Sequence, residues 1–392
     1  MTAVVMLRPA VIESREWRAT VTPLASIIGS GFLVAGPILG HAAGNLAWLA
    51  MFGLCAAAYL FGAAIRHNIA VVEPMLEQKP AIAVDLIERG SGAALAVAYF
   101  ISVTYYLNLF AAFGLRGIGV MDANATRIVS TVTIVALGLY GARRGLAALE
   151  GVEELAVGIK LGMIAGLISG LLLAAIVAFS GGTMALHQPE HATGAHEIAI
   201  LLGLVILVQG FETSRYLDDA YDRATRIRTM RNAQLLSSLI YLAFIALITP
   251  YFGDKVPVEG GETAIIDMLA PLGALVAPLI IVAALASQLS AAVADMSGAG
   301  GLISNITGRR VAVPAGYLLA ATVAVAITWF ANIYEIIVYA SKAFVLYYGM
   351  QSLQASYTSA AMQPRNMAKA LLFGLAALLA AAIFLLGIPA DA

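Results

Sequence analysis

Charge is what this sequence most lacks. Only 11% of its 392 residues are Asp, Glu, Lys or Arg, where a soluble domain carries about a quarter. Hydrophobic residues make up 61% and the mean hydropathy is +0.90. So few charges cannot cover a water-facing surface of this size, whereas burial in lipid accounts for the deficit. Cysteine is nearly absent. Cys55 stands alone in an apolar run, which excludes an intrachain disulfide and any cysteine-based metal motif. A net charge of −1 excludes a general attraction to nucleic acid. The sequence has no phosphate loop, nucleotide fingerprint or nucleophile elbow, and no apposed nucleophile and base, so an intramembrane enzyme is not the expectation. A signal peptide is excluded by Arg8, Glu13, Arg15, Glu16 and Arg18, which interrupt any short apolar core. Residues 1–19 instead read as a cytoplasmic tail.

What is abundant is apolar length. A membrane-crossing helix needs about 20 mostly apolar residues. Eleven stretches qualify: 20–39, 45–65, 92–115, 126–142, 153–180, 197–217, 232–252, 272–298, 312–330, 333–352 and 367–387. The fold class predicted is an all-α membrane protein. With the N-terminus inside, Arg8, Arg15, Arg18, Arg143, Arg144 and the run Asp222–Arg231 fall in inside segments, while the outside holds only Arg116, Arg127 and Lys255. That asymmetry sets the orientation in an inner membrane and places the C-terminus outside. The 37 glycines fit closely approaching membrane helices.

Two spans carry clusters that an ordinary helix avoids. Span 1 contains Ile28-Gly29-Ser30-Gly31-Phe32 and span 6 contains Gln209-Gly210-Phe211-Glu212-Thr213-Ser214. Glycine disfavours helix by roughly 1 kcal/mol relative to alanine, so both mark expected breaks. Interrupted spans at matching places in two halves point to a transporter site. The same offset maps the polar stretch Arg66–Gly90 near Gly253–Ala270. Five spans per half, an odd number, require opposite orientations. The expectation is a five-plus-five inverted repeat over 20–180 and 197–352, with discontinuous helices 1 and 6 and an added helix at 367–387.

The run Thr22-Pro23-Leu24-Ala25-Ser26-Ile27-Ile28-Gly29-Ser30-Gly31-Phe32 resembles the first helix of the amino acid–polyamine–organocation (APC) superfamily. Gly210-Phe211-Glu212 is similar to that group's helix 6 break, and Gly151-Val152-Glu153-Glu154-Leu155 with Lys160-Leu161 to its helix 5. The resemblance implies the LeuT-type fold, alternating access, and amino acids or related amines as substrates. It implies a solute carboxylate on the helix 1 break and an amine near carbonyls of the breaks. Span 8, Ser287-Gln288-Leu289-Ser290 through Asp295, departs from the usual amino acid permease sequence and leaves substrate and coupling ion open.

Candidate solute ligands are therefore Gly29, Ser30, Gly31, Phe32, Asn108, Gln209, Gly210, Phe211 and Glu212. A carboxylate inside a membrane is a functional hypothesis by default, and Glu212 either binds an amine, carries a proton or braces the break. Lys160, about 15 Å into span 5 at 1.5 Å per residue, either carries a proton, occupies a sodium position or braces carbonyls of span 1. Ser287, Ser290 and Asp295 share a face of span 8 and would complete an ion site with carbonyls near Ala25 and Ile28. Arg215 is expected to snorkel or pair with an acid of an inner gate. His187, His191 and His196, with Glu190 and Glu197, fit no standard zinc spacing and read as a solvated loop. No cofactor is expected beyond a coupling ion, H+ ahead of Na+. The partners expected are a small-molecule substrate and the lipid bilayer, with no nucleic acid. The reading is a secondary active transporter of a small organic solute. An inorganic-ion transporter on the same fold is its rival, with an intramembrane enzyme or a channel behind.

Overall fold

The computed structural model describes residues 14–78, 81–146, 150–181, 194–217, 220–249, 261–362 and 365–390. Among these residues the chain is helical throughout, without a strand. The long helices are α1 (Arg15–Ala43), α2 (Ala47–Leu76), α3 (Ile82–Gly117), α4 (Ala123–Arg144) and α5 (Glu150–Ser180). The sixth segment begins as α6 (Ala195–Leu202) and continues as two 3-10 turns, Val205–Val208 and Phe211–Tyr216. Then come α7 (Arg223–Ile248), α8 (Val276–Ile306), α9 (Val313–Phe330), α10 (Ile333–Ala361) and α11 (Met367–Leu386), with the short helix Ile265–Leu269 before α8. All eleven predicted spans are present, and α9 and α10 are separate helices.

Eight stretches are long and apolar enough to cross a membrane, the first running through both α1 and α2. The two segments left out are informative. The sixth is broken, and α10 carries a buried polar stripe of Ser341, Gln351, Ser352, Gln354 and Thr358. Such a helix crosses only where neighbours cover it. It is covered by α3, α2 and α11.

Packing divides the helices into two groups. The most extensive contact is α3 with α8, and α4, α9 and α3 close around it. In the second group α1 and α2 both lie on α7, and the two 3-10 turns of segment six lie on α1. Close approach between α2 and α7 depends on Gly62, where a Cβ would meet the Gln234 side chain.

Three expectations are corrected. First, α1 is helical from Arg15 to Ala43, through Pro23, Pro37 and the Gly29–Gly31 cluster. The glycines there serve close approach rather than unwinding. A Cβ on Gly31 would lie 2.6 Å from the Leu207 Cα, and one on Gly29 would lie 2.8 Å from the Lys160 Nζ. Second, the tail boundary moves, because Arg15 to Ala19 belong to α1, capped by Ser14, whose hydroxyl accepts the Trp17 N–H at 3.2 Å. Third, Arg66–Gly90, expected as a polar loop, and Asp222–Arg231, expected as the connection between helices 6 and 7, are mainly helix. They extend α2, α3 and α7 past the apolar spans, and Asp222 caps α7. Their charges find partners on neighbouring helices, which removes the reason to leave the helix.

Candidate functional site

The site grows out of the break in segment six. Gln209 is extended, and Gly210 takes φ +114°, a conformation that favours glycine. A Cβ on Gly210 would also fall 2.5 Å from the Ser26 Oγ and 2.7 Å from the Ile27 N. The break thus rests directly on α1, and any side chain at 210 would part them. Freed backbone groups in a membrane must find partners in the protein. The Ile206 N–H donates to the Ser341 Oγ of α10 at 3.0 Å. The Leu207 carbonyl accepts from the Tyr241 hydroxyl at 2.6 Å, and the Ile27 carbonyl of α1 lies 3.0 Å from the same hydroxyl.

Glu212 folds back over this break. Its Oε2 accepts the Gly210 N–H at 3.0 Å and the Tyr348 hydroxyl at 2.8 Å. Its Oε1 is buried without a hydrogen-bond partner, and the residue is 0% exposed. Gln209 donates from Nε2 to the Tyr106 hydroxyl at 2.6 Å, while its Oε1 also lacks a partner. Buried polar atoms are nearly always bonded, so two acceptor oxygens without donors in one break are an invitation to a donor or a cation. Phe211 stacks on Tyr348 with ring centroids 4.9 Å apart, and Phe61 flanks the same ring at 5.3 Å. Phe32 lies elsewhere, against Tyr241 and Phe244 of α7.

A second cluster joins α1, α5 and α8. The Lys160 Nζ donates to the Ala25 carbonyl at 2.6 Å. The Ser287 Oγ donates to the Gly29 carbonyl at 3.2 Å. Ile28 is buried beside them, and Ser290 is buried one turn along α8. Lys160 is 2% exposed, and its amine is enclosed where α1, α5 and α8 meet.

Other predicted residues go elsewhere. Asn108 donates to the Thr328 hydroxyl at 2.9 Å and to the Thr104 carbonyl at 2.8 Å, which braces α3 against α9. Asp295 accepts from the Ser102 hydroxyl of α3, on a different neighbour from Ser287. The unbroken α1 also leaves the Gly29–Gly31 N–H groups inside a helix, where backbone donors point along their own helix. The carboxylate role expected for them finds no free donors there. The Ser30 side chain, His187, Glu190 and His191 lie outside the described residues. Glu197 accepts the Gly194 N–H at the start of α6, and Glu335 closes a capping box with Asn332 on α10. Among the described residues no three His, Cys, Asp or Glu side chains gather as a metal site would require.

Toward the arginine-rich end, Arg215 pairs with Glu88 of α3 at 3.0 Å and bonds to the Gln351 side chain. Arg226 grips Glu73 through both oxygens, at 3.0 and 2.7 Å, and donates to the Arg215 carbonyl at 2.7 Å. Gln351 also accepts from Asn68 of α2 and donates to Ser91 of α3, each at 2.8 Å. This layer ties segment six, α2 and α7 to α3 and α10. Beside it lies a cleft of about 880 Å3 lined by Glu88, Tyr216, Leu302, Asn305 and Arg310. Sequence reasoning missed Tyr241, Tyr348, Glu73 and Glu88. The one available signal was the polarity of α10, too low in hydropathy for a lipid-facing span.

Known proteins share this arrangement of helices. Two mutants of the manganese transporter of Eremococcus coleocola superpose with TM-scores of 0.61 and 0.60 at 12% identity. They cover 96% and 94% of this chain and 86% and 85% of those chains. An uncharacterized protein of Aquifex aeolicus (strain VF5) is 40% identical over 354 residues, 89% of this chain and 86% of that protein. A sequence model described as APC superfamily transporter matches residues 9–387. With nearly the whole chain matched by that sequence model, this multi-pass membrane protein belongs to the APC superfamily of transporters.

Proposed function

We propose that the chain is a secondary active transporter of a small amine-bearing organic solute, with amino acids the reference class, coupled to protons by alternating access. The observation that carries this is Glu212. A fully buried carboxyl with one oxygen lacking a donor, set in the break of segment six, is matched by an ammonium group or by a proton. Lys160 supports the choice of proton over sodium, since its ammonium already bonds the α1 carbonyl that a sodium ion would use. The group of α1, α2, segment six and α7 rocks against α3, α4, α8 and α9, and the arginine-rich layer is the inner gate. In this reading the N-terminus is cytoplasmic, the C-terminus is outside, and the two inverted repeats span 20–180 and 197–352 of an inner-membrane protein.

A second reading is a divalent metal ion. It is favoured by the likeness to proteins titled manganese transporters and by the oxygens of Gln209 and Glu212. Thermal unfolding of the purified protein separates the two when single amino acids, primary amines and Mn2+ are added in turn. The expected result is stabilisation by an amine-bearing probe, lost in Glu212→Gln, with uptake of that probe acidifying proteoliposomes. Stabilisation by Mn2+ alone would sink the organic-solute reading. Uptake that persists without a proton gradient and requires Na+ would overturn the coupling ion. Lys160→Ala is expected to abolish coupled uptake, and undiminished uptake would remove that residue from the mechanism.

A further inference from the structure

The ion pairs of the arginine-rich end sort by helix group. Arg223 and Arg226 of α7 hold Glu73 of α2, and Arg228 of α7 holds Glu16 of α1. These pairs lie inside the group of α1, α2, segment six and α7. Among the described residues, the ion pair that leaves this group at this end joins Arg215 of segment six to Glu88 of α3, at 3.0 Å.

That pair stands between the break and an open space. Phe211–Tyr216 is a 3-10 turn, in which residues three apart eclipse. Glu212 and Arg215 therefore share one face, roughly 6 Å apart along the axis at about 2 Å per residue. Beyond the pair lies the cleft of about 880 Å3, where Glu88 stands with Gly92, Tyr216, Asn305 and Arg310. The Glu88 side chain is 25% exposed and that of Arg215 is 4%, so the acid is the partner that the cleft reaches. Arg215 has other acceptors within reach. It already bonds the Gln351 side chain, and its Nε lies 3.8 Å from Glu73. Arg226 fixes its backbone by donating to the Arg215 carbonyl at 2.7 Å.

We propose that this cleft is the vestibule through which the solute leaves the break, and that Glu88 is its exit subsite, where the solute's cationic group takes the place of the Arg215 guanidinium. The inference rests on the amine-bearing reading above. An ammonium is a charge-assisted donor to a carboxylate, as a guanidinium is. Glu88 therefore exchanges one cation for another and is never left as a lone charge in a part-buried site, which would be costly. Arg215 turns to Glu73 and keeps Gln351, so neither side of the pair is stranded. Glu88 is a binding residue for the departing solute, and Arg215 is the bolt that closes the route when no solute is there.

The test uses the purified full-length chain with Cys55, its one cysteine, replaced by Cys55→Ser. Ser214→Cys then reports from a position 0% exposed, directly before Arg215. Its labelling by a hydrophilic maleimide is expected to be slow, and faster by at least about tenfold in Arg215→Ala, where charge-assisted bonds are lost. Millimolar guanidinium chloride, the head group of the missing side chain, is expected to restore protection in Arg215→Ala, where sodium chloride does not. Protection is expected to vanish when Glu88→Gln is added. Asn305→Trp, which narrows the cleft, is expected to slow the labelling. Should Arg215→Ala not fold, Glu88→Gln alone carries the test, with fast labelling that guanidinium does not change. Labelling indifferent to Asn305→Trp would overturn the vestibule. Guanidinium protection that survives Glu88→Gln, or is absent altogether, would overturn the subsite while leaving any amine stabilisation of Glu212 intact. A thermal screen answered by Mn2+ alone would remove the amine reading itself, and the exit role of Glu88 with it.

Discussion

The middle of the bundle and its arginine-rich end handle buried polarity in opposite ways. At the end, among the described residues, the buried guanidinium groups of Arg66, Arg215 and Arg226 each hold a carboxylate or amide oxygen, and the Arg226 Nε and the Asn68 Oδ1 are the layer's unpaired atoms. In the middle, Glu212 and Gln209 each keep an oxygen with no donor. Both regions contain charge that is costly to bury. The paired layer offsets that cost internally and so favours one arrangement of the helices. The unpaired break keeps that cost, which the proposed solute or proton would offset. In the proposed transport cycle the paired layer would act as the latch and the unpaired break as the site.

The largest expected effect breaks the latch. Arg226→Met leaves the part-buried Glu73 beside an apolar side chain, with Arg215 still 3.8 Å away, and removing one partner of a fully buried pair costs about 3–5 kcal/mol. Glu73 retains a weaker contact with Arg223 at 3.6 Å, so the lower part of that range is expected. Unfolding of the purified variant in detergent measures it. The double variant Glu73→Gln with Arg226→Gln is expected to recover part of the loss, because no charge is then left alone. A double variant as unstable as the single would show that the layer is held by packing and not by its charges.

A smaller effect tests the middle. Gly31→Ala places a Cβ 2.6 Å from the Leu207 Cα, and overpacking of this kind costs about 1–3 kcal/mol. The obstruction is backbone, so Leu207→Ala is not expected to restore stability. Full rescue by Leu207→Ala would show that only the Leu207 side chain, and not the path of segment six, limits the approach.

The same contrast explains what the sequence revealed and what it concealed. Apolar length is a strong local signal, so all eleven segments and the break at Gly210 could be read directly. The continuity of α1 could not, because a glycine pair that permits unwinding is identical in sequence to one that permits contact. Deciding between them needs Lys160 and Leu207, which lie far along the chain. The helical extensions of α2 and α7 were hidden for a related reason. Glu73 and Arg226 look like loop charges until each is seen to satisfy the other across 153 residues. Asn108 and Asp295 sit on the expected helices, yet their partners Thr328 and Ser102 decide what they do.

The smallest effect belongs to the opposite end of the bundle. There Arg116, at the end of α3, donates to both oxygens of Asp267 in the short helix Ile265–Leu269, at 2.5 and 2.6 Å. The contact is as short as that of Arg226 on Glu73, though one nitrogen spans both oxygens where Arg226 uses two, and the setting differs. The Asp267 side chain is 41% exposed, against 17% for Glu73. Exposed pairs contribute about 0–1 kcal/mol, so Asp267→Asn is expected to lower stability by less than ~1 kcal/mol. Raising ionic strength from about 0.1 M to 1 M shortens the screening length from roughly 10 Å to 3 Å, and it should erase most of that difference. The cost of Arg226→Met should persist in the same salt, because water and ions do not reach its partner as freely. Matching thermal unfolding series at the two salt concentrations check this. Equal costs with equal salt dependence would mean that both ends are latched alike. Burial, together with the two-nitrogen grip of Arg226, is what makes the arginine-rich end the stronger pairing.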